Sequence, residues 1–391
     1  MQNLDLVIVG GGPAGLSTAL HVAAVAPRTR MVVLEAKPYP REKICAGGIG
    51  GRGLHILDKL GVRIECPMVK LDAVAMRIGG EQVVTRVPNC GVVVRRVEFD
   101  HALAKQAMAR GIDVRDATPV TAIDVADDHV HVETERGDVF RARAIVGADG
   151  VGGITRRMTG FPRGELRAQV VELDTEAAPG DFPRDTIAFD FEAHDLRGYA
   201  WDFPTLVAGQ PLVCRGAYVI HTMGHDSPKA RIDAYLRERG LRLADYKLKQ
   251  FAERGFEPGA DIAKPRVLLV GEAAGIDIAT GEGIAQAIEY GALAGDYLAH
   301  ALARDNLLFS TWKSTVDGRH IGKQLRIRHL CYRVFYGRHR PHLARMLPKL
   351  ETFFRVGVQD FAGVPLSKLA LAQGAVTFLG QLAREGMRSP D

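Results

Sequence analysis

Apolar residues come first in unbroken runs of strand length and later in alternation. Leu4-Asp5-Leu6-Val7-Ile8-Val9 reads as a buried strand. After a glycine-rich turn, an apolar stretch from Ala14 to about Val25 reads as a helix that Pro27 stops. Met31 to Glu35 reads as the next strand, so the opening is a βαβ unit of the usual ~30 residues. Residues 38–53 are rich in Pro and Gly and predict no regular element, and 53–60 predict a short helix. Alternation over 71–87 with Gly79-Gly80 between predicts a hairpin. Phe99 to Arg110 predicts a helix and 112–147 strands that end in Ala144-Ile145-Val146-Gly147. Several short strands follow over 166–225, then helix over 229–254, a fresh buried strand at Arg266 to Gly271, a helix from about Gly283 to 303, and a mostly helical tail.

The chemistry begins at the first turn. Gly10-Gly11-Gly12-Pro13-Ala14-Gly15 holds G-x-G-x-x-G, which alone is a weak signal. Here it follows a strand, opens a helix and is followed by Glu35 at the end of the second strand. Gly10 suits the tight turn, Gly12 the approach of a pyrophosphate to backbone, and Gly15 close helix–strand packing. The helix N-terminus supplies partial positive charge, and Glu35 can accept hydrogen bonds from ribose hydroxyls. Two later strands end in Gly147-Ala148-Asp149-Gly150 and Gly271-Glu272-Ala273-Ala274-Gly275, which a simple NAD domain does not need. Together with Pro13 in the glycine string they point to FAD.

On these motifs the chain resembles flavoproteins of the p-hydroxybenzoate hydroxylase fold and, within it, the geranylgeranyl reductase branch. The resemblance runs to about residue 300 through Pro40-Arg41-Glu42-Lys43-Ile44-Cys45-Ala46-Gly47-Gly48, Arg96-Val97-Glu98-Phe99-Asp100, Tyr199-Ala200-Trp201-Asp202-Phe203-Pro204 and Thr280-Gly281-Glu282-Gly283-Ile284. It implies an α/β fold: a Rossmann-like FAD-binding domain (1–70, 90–165 and 266–303), an inserted antiparallel-sheet substrate domain (71–89 and 166–265) and a helical C-terminal region (304–391). It further implies that Arg96 meets the phosphate or ribose region, that Val120 presents backbone to adenine, and that Glu272, where the family usually has Asp, meets the ribityl hydroxyls. Amides of Gly283 and Ile284 would face the flavin N1 and O2. Pro13, Ala14, Ala36, Arg41, Ala46, Gly48 and Gly281 would lie against the cofactor too. Asp149 reads first as support for the sheet–loop junction.

The Cys45 loop matches the branch's Cys-Gly-Gly-Gly except at Ala46. Cys45 is a candidate proton donor, gate or packing residue, since a thiol of ordinary pKa near ~8.5 is mostly protonated at neutral pH. Tyr199, Trp201 and Phe203 alternate, so they share a strand face, either as an aromatic core or as an apolar wall over the flavin. Halogenases carry a related Trp-x-Trp-x-Ile-Pro, and reductases often carry Lys where this chain has Thr205. Expected catalytic residues are Cys45, Tyr199 and Trp201. The expected activity is reduction of a C=C bond in a lipophilic or natural-product substrate by hydride from N5 of reduced FAD. The alternatives are a monooxygenase or halogenase working through a C4a-hydroperoxide, and a non-catalytic FAD-bound docking protein. NAD(P)H and ferredoxin are the candidate reductants.

Composition changes the picture at two points. The five cysteines (Cys45, Cys66, Cys90, Cys214, Cys331) are scattered with no metal-ligand spacing, so no metal site is expected and a reducing cytosol is. No leader pattern opens the chain, and no apolar stretch approaches the ~20 residues of a membrane span. The net charge of +5 is concentrated in the tail, where residues 301–391 carry 15 Lys and Arg against 6 Asp and Glu. Between Asp317 and Glu351 there is no acidic residue, while Arg319, Lys323, Arg326, Arg328, Arg333, Arg338, Arg340, Arg345 and Lys349 fall there. The readings are a solvated face, contact with a membrane surface, or docking of an acidic partner or anionic substrate. Nucleic acid is not expected, because no nucleic-acid motif accompanies the charge.

Overall fold

A computed structural model describes residues 1–192, 197–220, 227–337 and 340–365. The runs Leu6–Val9, Val32–Leu34 and Ala144–Val146 carry apolar side chains at successive positions because both faces of their sheet are covered. That sheet runs in the order Ala263–Lys264, Val267–Leu269, Val139–Gly147, Gln2–Val9, Met31–Leu34, Asp113–Arg115. From Val267–Leu269 to Asp113–Arg115 every pair is parallel, with Ile8 opposite both Val33 and Val146. Val120–Val125 and Val130–Thr134 extend it as an antiparallel flap on Val139–Gly147. The helices Pro13–Val25 and Ile284–Ala303 pack on the sheet, and their N-termini lie at the carboxyl ends of the parallel strands, where doubly wound sheets bind ligands.

The second sheet has eight strands in the order Lys249–Arg254, Arg167–Thr175, Gln210–Ile220, Gly198–Val207, Thr186–Asp190, Met68–Ile78, Glu81–Val94, Gly48–Gly50. It is antiparallel except where Thr186–Asp190 runs parallel to Met68–Ile78. Residues 70 and 90, taken from the sequence as boundaries, fall inside strands of this sheet.

Two sequence expectations are corrected. Residues 38–53 are not wholly irregular, because Gly48–Gly50 is a strand and Gly51–Lys59 a helix. The reason lies far along the chain: a Cβ on Gly50 would stand 2.3 Å from the carbonyl oxygen of Phe361, and one on Gly51 2.3 Å from that of Ala362. These glycines seat the end of the helix Glu351–Phe361. Residues 229–254 are helical only over Pro228–Arg237 and briefly at Leu243–Asp245, then become the edge strand Lys249–Arg254. Lys-Gln-Phe-Ala-Glu-Arg has no β-branched residue, and pairing with Arg167–Thr175 overrides its helical propensity.

The tail is helical at Trp312–Gly318, His320–Phe335, Arg340–Met346 and Glu351–Phe361. Arg338 and residues 366–391 lie outside the described residues.

Candidate functional site

The glycine string forms the turn between the strand Gln2–Val9 and the helix Pro13–Val25. Gly10 has φ +108°, and a Cβ there would stand 2.4 Å from the Ala148 carbonyl oxygen, so only glycine fits. Gly12 differs. Its backbone is ordinary (φ −88°), and the nearest atoms to an added Cβ are Nη2 of Arg41 at 3.6 Å and Nη2 of Arg96 at 3.8 Å. It heads a helix with no side-chain cap and no acidic residue in its first turn. Two guanidinium groups and an uncapped helix N-terminus thus converge over a residue without a side chain, which fits a pyrophosphate.

The cations are held by anions of the same site. Arg41 bridges Glu35 Oε2 (3.1 Å) and Asp100 Oδ2 (3.0 Å), and Arg96 binds Asp100 in bidentate fashion at 2.7 and 2.8 Å. Glu35 also accepts from the amides of Gly11 (3.0 Å) and Lys37 (3.1 Å), and the Tyr39 hydroxyl donates to the Gly11 carbonyl. All four charged side chains are buried, so the cluster is ordered by its own bonds and is close to neutral.

The other two acidic turns meet the same space. Asp149 Oδ2 accepts from the amide and hydroxyl of Thr155, both at 2.8 Å, which ties it to the start of the helix Ile154–Met158. Burial pushes the Asp149 carboxyl up. Glu272 pairs with Lys43 Nζ at 3.3 Å, and that ammonium lies 3.0 Å from the centre of the Phe251 ring. Asp149 Oδ1 and Glu272 Oε1 are buried without a hydrogen-bond partner among the described residues, so each has a lone pair to offer a ligand hydroxyl. Gly283 caps the helix Ile284–Ala303, again without a side-chain cap, so a second helix N-terminus opens on the site.

From the second sheet come Tyr199, Trp201 and Phe203, all buried. The Tyr199 hydroxyl donates to the Thr280 carbonyl at 2.5 Å, and its ring stacks on Tyr218 with centroids 5.1 Å apart. The Cys45 sulfur accepts from the Gly47 amide at 3.4 Å. Burial raises the Cys45 thiol above its ordinary range, and the nearby Arg96 guanidinium offsets part of that rise. The thiol is therefore protonated at neutral pH.

One cavity of about 890 Å³ collects these parts. Of the residues expected from sequence, Gly10, Gly12, Pro13, Ala14, Glu35, Ala36, Arg41, Cys45, Ala46, Gly48, Arg96, Val120, Asp149, Tyr199, Trp201, Glu272, Gly281, Gly283 and Ile284 line it. Gly15 does not. A Cβ there would stand 1.9 Å from the Gly10 carbonyl oxygen, so it serves the packing of helix on strand.

Sequence reasoning missed Tyr39, Lys43 and Asp100, which sit inside or beside the quoted motifs, Asp100 one helical turn after Arg96. It also missed Tyr218 and Glu253, for which no local signal exists, and named Arg328 only as one of the basic residues of the tail. Arg328 enters from the tail helix and pairs with Asp277 and Glu282, each at 2.7 Å.

A family model described as an FAD binding domain matches residues 3–194. The chain is 26% identical over 344 residues to digeranylgeranylglycerophospholipid reductase 2 of Methanothermobacter thermautotrophicus, covering 82% of this chain and 81% of that protein. In fold it is similar to a geranylgeranyl bacteriochlorophyll reductase-like protein of Thermoplasma acidophilum (TM-score 0.70, 17% identity, 98% of each chain). It is also similar to a flavin-dependent brominase (TM-score 0.73, 16% identity, 97% of this chain and 100% of that one). The last two likenesses are of fold alone.

Proposed function

We propose that this chain, an FAD-dependent oxidoreductase, is of the geranylgeranyl reductase family and adds two hydrogens across a carbon–carbon double bond of a lipophilic substrate. The observation that carries the reading is the Cys45 thiol, kept protonated by burial, on the wall of the cavity that the three dinucleotide-type turns share.

When bound, FAD supplies the reducing equivalents, as hydride to one alkene carbon. The chain's own residues do the rest. Gly12, Arg41 and Arg96 hold the pyrophosphate. The uncapped helix start at Gly283 and Ile284 favours negative charge on the reduced ring. Met76, Phe189, Phe191, Phe335 and Phe354 give the cavity a hydrocarbon wall that orients an apolar chain and keeps water from the reacting carbons. Cys45 gives its proton to the second carbon as the π bond breaks. The thiolate left behind is stabilised by Arg96 and takes a proton back from solvent.

The test is anaerobic. Protein reduced by dithionite, then freed of excess reductant, is mixed with an unsaturated isoprenoid glycerophospholipid. Reoxidation of the flavin without oxygen, with a product heavier by two hydrogens, supports the proposal. Reoxidation only with oxygen, with an added oxygen or halogen atom in the product, overturns it.

A further inference from the structure

The helix His320–Phe335 turns Ile321, Gly322 and Leu325 inward and leaves the opposite face open. On that face Ile327 (53% exposed), Leu330 (61%) and Val334 (44%) follow one another at helical spacing, an apolar stripe that the described residues do not cover. Lys323, Arg326 and Arg333 are exposed on the same helix. Arg326 is paired with Asp317 at 2.6 Å, whereas Lys323 and Arg333 have no ion-pair partner among the described residues. The stripe also touches the site. Ile327 is both exposed and part of the cavity wall, as is Phe353 on the neighbouring helix Glu351–Phe361. The cavity therefore opens beside the stripe. No described helix is long and apolar enough to cross a membrane.

We infer that this face docks on an anionic lipid bilayer, with Ile327, Leu330 and Val334 entering the acyl boundary and Lys323 and Arg333 resting at lipid phosphates. An apolar stripe rimmed by cations that have no ion-pair partner among the described residues, in a stretch without acidic residues between Asp317 and Glu351, complements such a surface in both charge and polarity. The docking stands on this surface alone. Its consequence, that an apolar substrate passes from the bilayer into the cavity past Ile327 and Phe353, rests on the reductase reading above.

The experiment is flotation of the full-length flavoprotein with vesicles of phosphatidylcholine, with or without phosphatidylglycerol. Flotation with the anionic vesicles that weakens as salt is raised is expected. Leu330→Asp/Val334→Asp, positions outside the cavity wall, lose about tenfold or more of the bound fraction while keeping flavin content. Lys323→Glu/Arg333→Glu lose only the preference for anionic lipid. With vesicle-held substrate the Asp variant reduces more slowly than the parent, and with detergent-dispersed substrate the two match. No flotation of the parent protein, variants that float as it does, or retention by polyglutamate in place of vesicles would overturn the docking. Intact flotation with no alkene reduction in either format would count against the reductase reading and leave the docking standing.

Discussion

The Tyr218 hydroxyl donates to Glu253 Oε1 across 2.7 Å, reaching over the strand Arg167–Thr175 that separates the two in the second sheet. On that strand Val170 stands opposite Tyr218 and Ala168 opposite Glu253. Both residues line the cavity. Burial first, then the nearby Glu272, pushes the Glu253 carboxyl well above the ordinary carboxylate range. Burial thus favours the protonated form of Glu253, beside the turn Gly271-Glu272-Ala273-Ala274-Gly275.

A carboxyl raised on folding stabilises the fold fully below its unfolded pKa, and that stabilisation is lost as pH rises toward the folded value. Glu253→Gln keeps an acceptor for Tyr218 and has no charge to desolvate. The variant is expected to melt above the parent at about pH 8, with the gap narrowing toward about pH 5. Melting curves followed by circular dichroism decide it. An equal loss at both pH values would mean the carboxyl is not held protonated.

Gly10 and Gly12 separate folding from binding. Alanine at Gly10 meets the Ala148 carbonyl and a left-handed backbone, so Gly10→Ala is expected to reach the soluble fraction poorly. Alanine at Gly12 meets nothing closer than 3.6 Å, so Gly12→Ala should fold with unchanged melting in the flavin-free form. Its methyl group occupies the space beneath Arg41 and Arg96, and flavin affinity should fall about tenfold or more, about 1.4 kcal/mol. Fluorescence titration of the apoprotein with FAD measures it. Unchanged affinity would remove the phosphate from this turn.

The same contrast shows what was legible in the sequence. Gly10, Gly12, Glu35 and Cys45 lie in segments whose chemistry is local, so a turn, a strand end or a loop motif reveals them. Glu253 was hidden because Lys249–Arg254 is a strand only by virtue of its partner, and its run of good helix formers points elsewhere. Tyr218 sits in a run buried on both faces, where alternation marks no functional side. Gly50 and Gly51 looked like loop residues, and their reason is the approach of backbone at Phe361 and Ala362, more than 300 positions away. The aromatic lining from Phe335 and Phe354 belongs to a tail whose charge drew attention before its packing did.

That tail is fastened through His320, which reaches Glu289 Oε1 and Asp360 Oδ1, each at 3.3 Å, while Arg52 binds Glu289 at 2.8 Å. Burial alone would lower the imidazole, but hydrogen bonds to Asp360 and Glu289 outweigh it and bring the pKa to about 9. Stability from a raised histidine is complete below about pH 6.5 and is lost as pH rises through about 9. Glu289 and Asp360 are both lowered, so their share is lost in acid instead. His320→Gln is expected to flatten the alkaline limb and to cost about 1 kcal/mol near neutrality, a figure reduced for solvent screening of a part-exposed group. Urea melts at several pH values measure it. An alkaline limb that survives the substitution would place the titration elsewhere.

Cys45 offers the sharpest test of the chemistry because, of the cysteines that line the cavity, Cys45 and Cys331, it lies in the loop between the two sheets while Cys331 is exposed on the tail helix. Cys90 and Cys214 are buried in the second sheet outside the cavity, and burial raises both thiols. Protonation alone therefore does not distinguish Cys45 from Cys90 and Cys214, but position does. Cys45→Ala is expected to retain flavin absorbance and lower the rate of alkene reduction by about 10²-fold, the low end of general-acid effects. Cys90→Ala should leave the rate near that of the parent. Since the acid form donates, the parent rate should stay level through neutral pH and fall on the alkaline side, above the ordinary thiol range, as the raised thiol ionises. The alanine variant should lose that alkaline fall and the solvent deuterium isotope effect with it. A Cys45→Ala rate equal to that of the parent, with the isotope effect intact, would reduce Cys45 to a small residue that lets backbone lie close to the flavin, and the proton would have to come from another wall of the cavity.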